Sequence, residues 1–165
     1  MTRKPATPRF QHSLWDRLTN PELIRGESAG VIPAGDIKRL REEVRRDLEW
    51  LLNSRSAPVV IPEGLDALQQ SLIRYGLPDF TTLNLSDPKE RERFQNVLAE
   101  VIRAFEPRLH RVEVRFDSQN QDRSRATLHY QIQAILSLDT APQPVVFDTV
   151  LELGSKTFLV RSEAG

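Results

Sequence analysis

The sequence contains no cysteine and no long apolar run, and its charges balance. Lysine and arginine number 23 and aspartate and glutamate also number 23, so the formal net charge at pH 7 is zero. The absence of cysteine excludes a disulfide framework and a thiolate metal site, and it agrees with a reducing compartment. No stretch approaches the roughly 18 apolar residues that a membrane helix needs. We therefore expect a soluble, cytoplasmic protein without direct membrane insertion.

The charge balance also argues against nucleic acid as a partner. A neutral chain has no long-range field that gathers polyanions. The arginines of the first long helical pattern alternate with acids, so that Arg39 and Glu43, like Glu42 and Arg46, are four residues apart. Opposite charges at this spacing are neighbours on a helix surface. This pattern is typical of a solvated face, and we expect no nucleic-acid binding.

Short motifs of catalytic chemistry are missing as well. The chain has no glycine-rich phosphate loop, no G-x-S-x-G elbow and no H-E-x-x-H. Its three histidines fall in an arm, a corner and a strand, at His12, His110 and His129. A glycosidase needs two facing carboxyl groups, one of them protonated, whereas Arg108 beside Glu106 favours an ionised carboxylate. We expect no catalytic, cofactor or metal site.

Residues 1–35 form a separate N-terminal arm in this interpretation. Seven prolines and glycines break every possible long element: Pro5, Pro8, Pro21, Gly26, Gly30, Pro33 and Gly35. Within the arm, Leu14, Trp15 and Leu18 recur at helical spacing after Ser13, a suitable capping residue. So short a helix is unstable alone. It must dock on its own domain, which we favour, or on another chain, and these three apolar residues are candidate protein-binding residues. We expect the arm to be mobile in solution.

The remaining chain, 36–165, predicts a single α+β domain that begins with about three helices. The first covers 36–53, where apolar residues recur at three- and four-residue steps. The second covers about 64–75, and we expect it to bury Leu65, Leu68, Leu72 and Ile73. The third begins at the capping residue Asp87, with Pro88 in its first turn. Its predicted apolar stripe is Phe94, Val97, Val101 and Phe105, with Leu98 and Ile102 beside it.

Beyond the third helix the apolar period changes from about 3.6 residues to 2. Alternation is present at 112–116, 128–138, 145–153 and 158–160. Helices followed by hairpin-connected strands predict a three- to four-stranded antiparallel meander, covered on one face by the helices. Val146 and Val150 lie on the other face. Either the arm or another protein would cover them.

The change from helix to strand occurs at a corner that carries opposite charges. Glu106 and Arg108 stand on either side of Pro107. Proline fixes its own φ and biases the preceding residue away from the helical region, so both charged residues are held at a stiff corner. Their apolar neighbours indicate a corner that packs into the body of the domain and presents the charges to something specific. The alternative is an internal role, in which Arg108 caps the helix and Glu106 is solvated.

Four segments, in their order and spacing over roughly residues 13 to 160, carry a family resemblance. They are SLWDRL at 13–18, DLEWLLNSR at 47–55, YGLPD at 75–79 and FEPRL at 105–109. In these segments the chain resembles the GPW/gene-25-like family of baseplate wedge proteins, and in particular the TssE-type subunits of type VI secretion baseplates. The Glu-Pro-Arg sequence is the most specific mark of the resemblance.

The resemblance implies a scaffold without enzymatic activity. In the family the Glu-Pro-Arg corner contacts the helical core bundle of the wedge, which assigns Glu106, Pro107 and Arg108 to protein binding. The implied partners are the wedge proteins TssF, TssG and TssK, together with sheath subunits that add a strand to the sheet. Such addition would link the wedge to the contractile sheath and template sheath assembly. An open edge strand offers unpaired backbone groups to a partner, and we favour Lys156–Arg161 as that edge.

Two alternatives accompany the resemblance. The family is also described as lysozyme-like, which suggests a peptidoglycan-cleaving enzyme. Wedge proteins of contractile phage tails and related injection devices share every segment quoted, so the sequence does not separate them from a secretion system.

Overall fold

A computed structural model describes residues 14–19, 36–62, 64–69, 71–118, 126–137 and 142–162. Most of the predicted mobile arm and the boundary at residue 35 lie outside the described residues. The chain contains four α-helices, one 3₁₀ turn and four strands over these ranges. They are α1 Leu14–Thr19, α2 Asp36–Asn53, α3 Asp66–Gln69, the 3₁₀ turn Leu72–Arg74, α4 Pro88–Phe105, β1 Leu109–Phe116, β2 Thr127–Leu136, β3 Gln143–Glu152 and β4 Thr157–Ser162.

The four strands form one antiparallel sheet in the order β1-β2-β3-β4. This confirms the α+β class and the predicted meander. Alternate residues of β2 are buried against the helices, as period-2 patterning requires. A register shift between His110 and Glu113 marks a bulge in β1, where Arg111 has φ 50. The bulge lies just after the charged corner and sets the direction in which the corner enters the sheet.

The two long helices supply the other half of the core. The apolar stripe of α2 is buried as predicted, at Leu40, Val44, Leu48, Leu51 and Leu52. Asp87 caps α4, since its side chain accepts a hydrogen bond from the Lys89 amide at 2.9 Å. The predicted stripe of α4 needs correction in part, because its fully buried residues are Phe94, the adjoining Leu98 and Ile102, and Ala99. Val97, Val101 and Phe105 are half-buried and border a groove of about 250 Å³ beside Gly76 and Pro78.

The prediction of a helix over 64–75 is wrong. The described residues of this segment form only the four-residue α3 and the 3₁₀ turn. The predicted buried residues are exposed: Leu65 46 %, Leu68 38 %, Leu72 85 % and Ile73 41 %. The Ser71 hydroxyl donates to the Leu68 carbonyl oxygen at 2.7 Å, which competes with continued helix. Leu77, Phe80 and Leu85 fill the core instead. Periodicity at this position therefore does not indicate burial.

The expectation of a free edge at Lys156–Arg161 also needs correction. β4 is an edge strand, but its outward backbone groups are not free. Side chains of α2 form hydrogen bonds with the amide and carbonyl groups of both Phe158 and Val160.

Gly76 joins the loop after α2 to the segment that leads towards α4. Its φ is +99, and a Cβ at this position would lie 2.6 Å from the backbone C and O of Ser54. The Leu77 amide donates to the Ser54 carbonyl oxygen at 2.9 Å, which holds the two backbones together. The position therefore requires glycine for both its conformation and its space.

We predict that Gly76→Ala lowers the free energy of unfolding by about 3 kcal/mol. Left-handed strain accounts for about 1–2 kcal/mol, and displacement of a packed backbone adds a comparable amount. Gly64→Ala is the matched control, because Gly64 also has positive φ, at +85, but no atom within 4 Å of a new Cβ. Urea unfolding of both variants measures the difference, and equal losses would contradict a role for close approach.

Candidate docking site

Backbone hydrogen bonds fix the conformation of the charged corner, in addition to the contacts of its side chains. Glu106 ends α4 as its C-cap, with φ −121 and ψ 78, and its amide donates to the Ile102 carbonyl oxygen at 2.8 Å. The Leu109 amide donates in turn to the Glu106 carbonyl oxygen at 3.1 Å. Pro107 lies between them and is exposed. The chain thus reverses around an exposed proline whose neighbours on both sides are fixed.

Arg108 forms an ion triad with Glu106 and Asp47. Its Nε donates to Glu106 Oε1 at 2.6 Å and its Nη2 to Glu106 Oε2 at 2.5 Å, a bidentate pair. Nη2 also donates to Asp47 Oδ2 at 2.6 Å. The side chains of Glu106, Arg108 and Asp47 are only 5 %, 13 % and 17 % exposed. The triad therefore ties the middle of α2 to the junction of α4 and β1.

This geometry changes the interpretation of the corner. The charges of Glu106 and Arg108 meet each other inside the protein instead of extending from its surface. Arg108 forms hydrogen bonds with two carboxylates rather than with helix carbonyl oxygens, and Glu106 is buried rather than solvated. Both charges therefore have partners within the domain, but these contacts differ from those that the internal alternative described. The exposed part of the corner is Pro107. That the corner binds a partner stays a prediction.

Sequence reasoning missed Asp47, which stands among the charged residues of α2 whose pattern predicts a solvated face. A signal was present, because Asp47 opens the segment 47–55 that carries part of the resemblance. Burial alone would lower the pKa of the Arg108 guanidinium, but the hydrogen bonds and charges of Glu106 and Asp47 outweigh it and raise that pKa. Arg108 therefore stays charged at any physiological pH.

Tyr75 belongs to the same site. Burial raises the pKa of its phenol, and the negative charges of Asp47 and Glu106 raise it further. Its ring meets Phe105 edge-on, with centroids 5.5 Å apart. Residues from segments 47–55, 75–79 and 105–109 thus come together, although they are distant in the chain.

The fourth segment contacts the same helix. Trp15 of α1 packs edge-on against Trp50 of α2, with ring centroids 5.7 Å apart, and the Arg46 guanidinium lies 5.1 Å from the Trp50 centroid. This is a contact within the chain, as the favoured interpretation expected. Trp15 remains 53 % exposed and Leu18 66 %; the side chain of Leu14 lies outside the described residues. Asp47 and Trp50 are three residues apart, hence on one face of α2.

The described residues offer little for other kinds of site. No group of three or more histidine and carboxylate side chains among them is arranged to hold a metal ion. His110 is exposed on β1 and His129 half-buried on β2, while His12 is outside the described part. None of the helices described is long and apolar enough to span a membrane.

Comparison with known proteins identifies the family. A family model described as baseplate wedge protein gp25 matches residues 38–141. The chain belongs to the baseplate wedge protein gp25 family. The match begins in α2 and ends beyond β2, so it includes the whole triad and Tyr75. Searches of curated proteins and of solved structures give no match.

We predict that Arg108→Met destabilises this gp25-family protein by about 3 kcal/mol, because two neighbouring buried carboxylates lose their counter-charge. The control is Arg115→Met, which breaks an ion pair with Glu113 whose side chains are 64 % and 60 % exposed. The free energy of unfolding of this variant should fall by less than about 1 kcal/mol. Urea unfolding at pH 7 measures both. Similar losses for the two variants would show that the triad has no special structural role.

Proposed function

We propose that the protein is a structural, non-enzymatic baseplate component of a type VI secretion system, of the TssE type, that works in the cytoplasm. Membership of the baseplate wedge family supports the structural role. The observation that supports a docking role is the convergence of the four segments that carry the family resemblance, and the resemblance to TssE-type subunits in particular motivates the secretion-system assignment. Asp47, Tyr75, Trp15 and the 106–108 corner belong to different segments and form one connected site.

The proposed recipient of this site is the helical core bundle of the wedge, and the proposed partners in the wedge are TssF, TssG and TssK. The triad holds the corner rigid, so that Pro107 is presented in one conformation. A preorganised surface loses less entropy on binding than a flexible one. Trp15 and Leu18 of α1 add exposed apolar area next to this site, because Trp15 packs against Trp50 of α2. Exposed aromatic residues are frequent anchors of protein interfaces.

Attachment of sheath subunits by strand addition is the second part of the proposal, and we place it at β1. The carbonyl oxygens of Val112 and Val114 accept from Arg103 Nη2 at 2.5 Å and Gln95 Nε2 at 3.3 Å. An added strand there replaces two side-chain hydrogen bonds among the described residues. At β4 it would have to replace four. β1 is therefore the edge with less to displace.

Docking at the corner is tested by co-purification with TssF, TssG and TssK. We expect the wild type to be retained, and two folded variants to lose most of the capture: Pro107→Gly, which loosens the corner, and Asp47→Asn/Glu106→Gln/Arg108→Met, which removes all three charges together. The control is Glu90→Ala/Arg93→Ala, which removes an ion pair at the start of α4 whose side chains are 24 % and 75 % exposed.

Undiminished capture of both folded variants would contradict docking at the corner. Failure of the wild type to capture any of these wedge proteins would contradict the assignment to a secretion system and favour the phage-tail alternative.

The peptidoglycan-cleaving alternative meets a geometric obstacle. Both oxygens of the Glu106 carboxylate accept from Arg108, and the side chain is 5 % exposed. It is not placed to protonate a glycosidic oxygen. We expect no release of muropeptides from cell-wall sacculi incubated with the purified protein. Hydrolysis that disappears in Glu106→Gln, measured with that variant shown to be folded, would contradict the non-enzymatic proposal.

A further inference from the structure

The edge of β4 is bonded to side chains of a helix. Asn53 Nδ2 donates to the Phe158 carbonyl oxygen at 2.9 Å, and the Phe158 amide donates to Asn53 Oδ1 at 2.8 Å. The Val160 amide donates to Glu49 Oε2 at 3.2 Å, and Arg45 Nη1 donates to the Val160 carbonyl oxygen at 2.9 Å. Both backbone groups of two alternate residues are thus paired. Phe158 and Val160 are the residues through which β4 would bond another strand.

The spacing of these contacts follows from helix and strand geometry. Four helical residues rise about 6 Å, and two strand residues rise about 6.6 Å. Asn53 and Glu49 are four residues apart on α2, and Phe158 and Val160 are two apart on β4. The two elements run in opposite directions, so one helical turn stays in step with each pair of strand residues. α2 therefore presents its side chains as an antiparallel strand would present its peptide groups.

Each position reproduces a peptide group by different chemistry. The amide of Asn53 supplies one donor and one acceptor, as a backbone peptide does. At Val160 the two functions are divided, since Glu49 accepts and Arg45 donates. Arg45 Nη1 and Glu49 Oε2 also bond each other at 2.8 Å, and Arg45 Nε donates to Glu42 at 2.6 Å. The ion pair holds both side chains in the orientation that the strand needs.

The segment protected in this way has the composition of a self-pairing strand. Phe158, Leu159 and Val160 are consecutive apolar residues, and Leu159 is 51 % exposed on the outer face of the sheet. An unprotected edge of this kind pairs readily with another copy of itself. A second copy of the chain is therefore the first competitor for the edge.

We propose that Arg45, Glu49 and Asn53 form a side-chain ladder that closes the β4 edge against a second copy of this chain and keeps the isolated protein monomeric. The ladder is a conformational device of the fold and stands on the contacts between α2 and β4 alone. It does not depend on the proposed function.

The test compares the oligomeric state of the full chain with that of Glu49→Ala/Asn53→Ala, by size exclusion with light scattering over a range of concentrations. We expect a monomeric wild type and a variant that dimerises with concentration. Glu90→Ala/Arg93→Ala removes an equal number of polar side chains away from β4 and should stay monomeric. A folded double variant that remains monomeric throughout would overturn the proposal.

Amide hydrogen exchange locates the new contact. In a dilute solution of the double variant, the amides of Phe158 and Val160 should exchange about tenfold or more faster than in the wild type, because each amide loses its hydrogen-bond acceptor. In the dimer of the double variant, the same amides should be protected again. A dimer in which they stay unprotected would overturn the proposal, since pairing would then lie elsewhere.

If the double variant does not fold, amide exchange of the single variant Asn53→Ala tests the ladder instead. Its Phe158 amide should exchange about tenfold faster while the Val160 amide keeps its protection. Unchanged exchange at Phe158 would overturn the ladder.

Discussion

A guanidinium held between two carboxylates organises this fold. Arg108 follows the proline corner at which the chain passes from helix to sheet, and it joins Glu106, on the same corner, to Asp47 in the middle of α2. A charge removed from water is stable only if its partners stay in place. The triad therefore restricts how α2 and the end of α4 lie relative to each other. The sheet starts at Leu109, directly after Arg108, so the same contacts restrict where β1 begins. Stability and the presentation of Pro107 depend on the same three side chains.

The family resemblance acquires a physical basis from this arrangement. The four segments that carry it are separate in the chain, but each contributes to one connected set of contacts: Trp15 with Trp50, Asp47 with Arg108, and Tyr75 with Phe105. This connected set combines a buried ion triad with the exposed apolar residues Trp15 and Leu18.

The elements with strong periodicity could be predicted from the sequence, because burial of one face is what creates the period. This holds for α2, for the capped start of α4 and for the alternating strands. The segment at 64–75 has helical spacing too, yet its sequence does not reveal that Leu65 and Leu72 are exposed. Asp47 and Glu49 are predicted to lie on a solvated face, because a charged residue looks the same in a sequence whether water or a distant part of the chain satisfies it. Tertiary contacts decide such cases.

We expect Asp47 and Arg108 to act as a unit although they are 61 positions apart in the chain. A double-mutant cycle of Asp47→Asn and Arg108→Met, measured by urea unfolding at pH 7, tests it most directly. Residues joined by a buried charge-assisted hydrogen bond should show a coupling free energy of about 2 kcal/mol. Additive effects, with a coupling within about 0.3–0.5 kcal/mol of zero as for independent sites, would contradict the claim that the triad holds the corner.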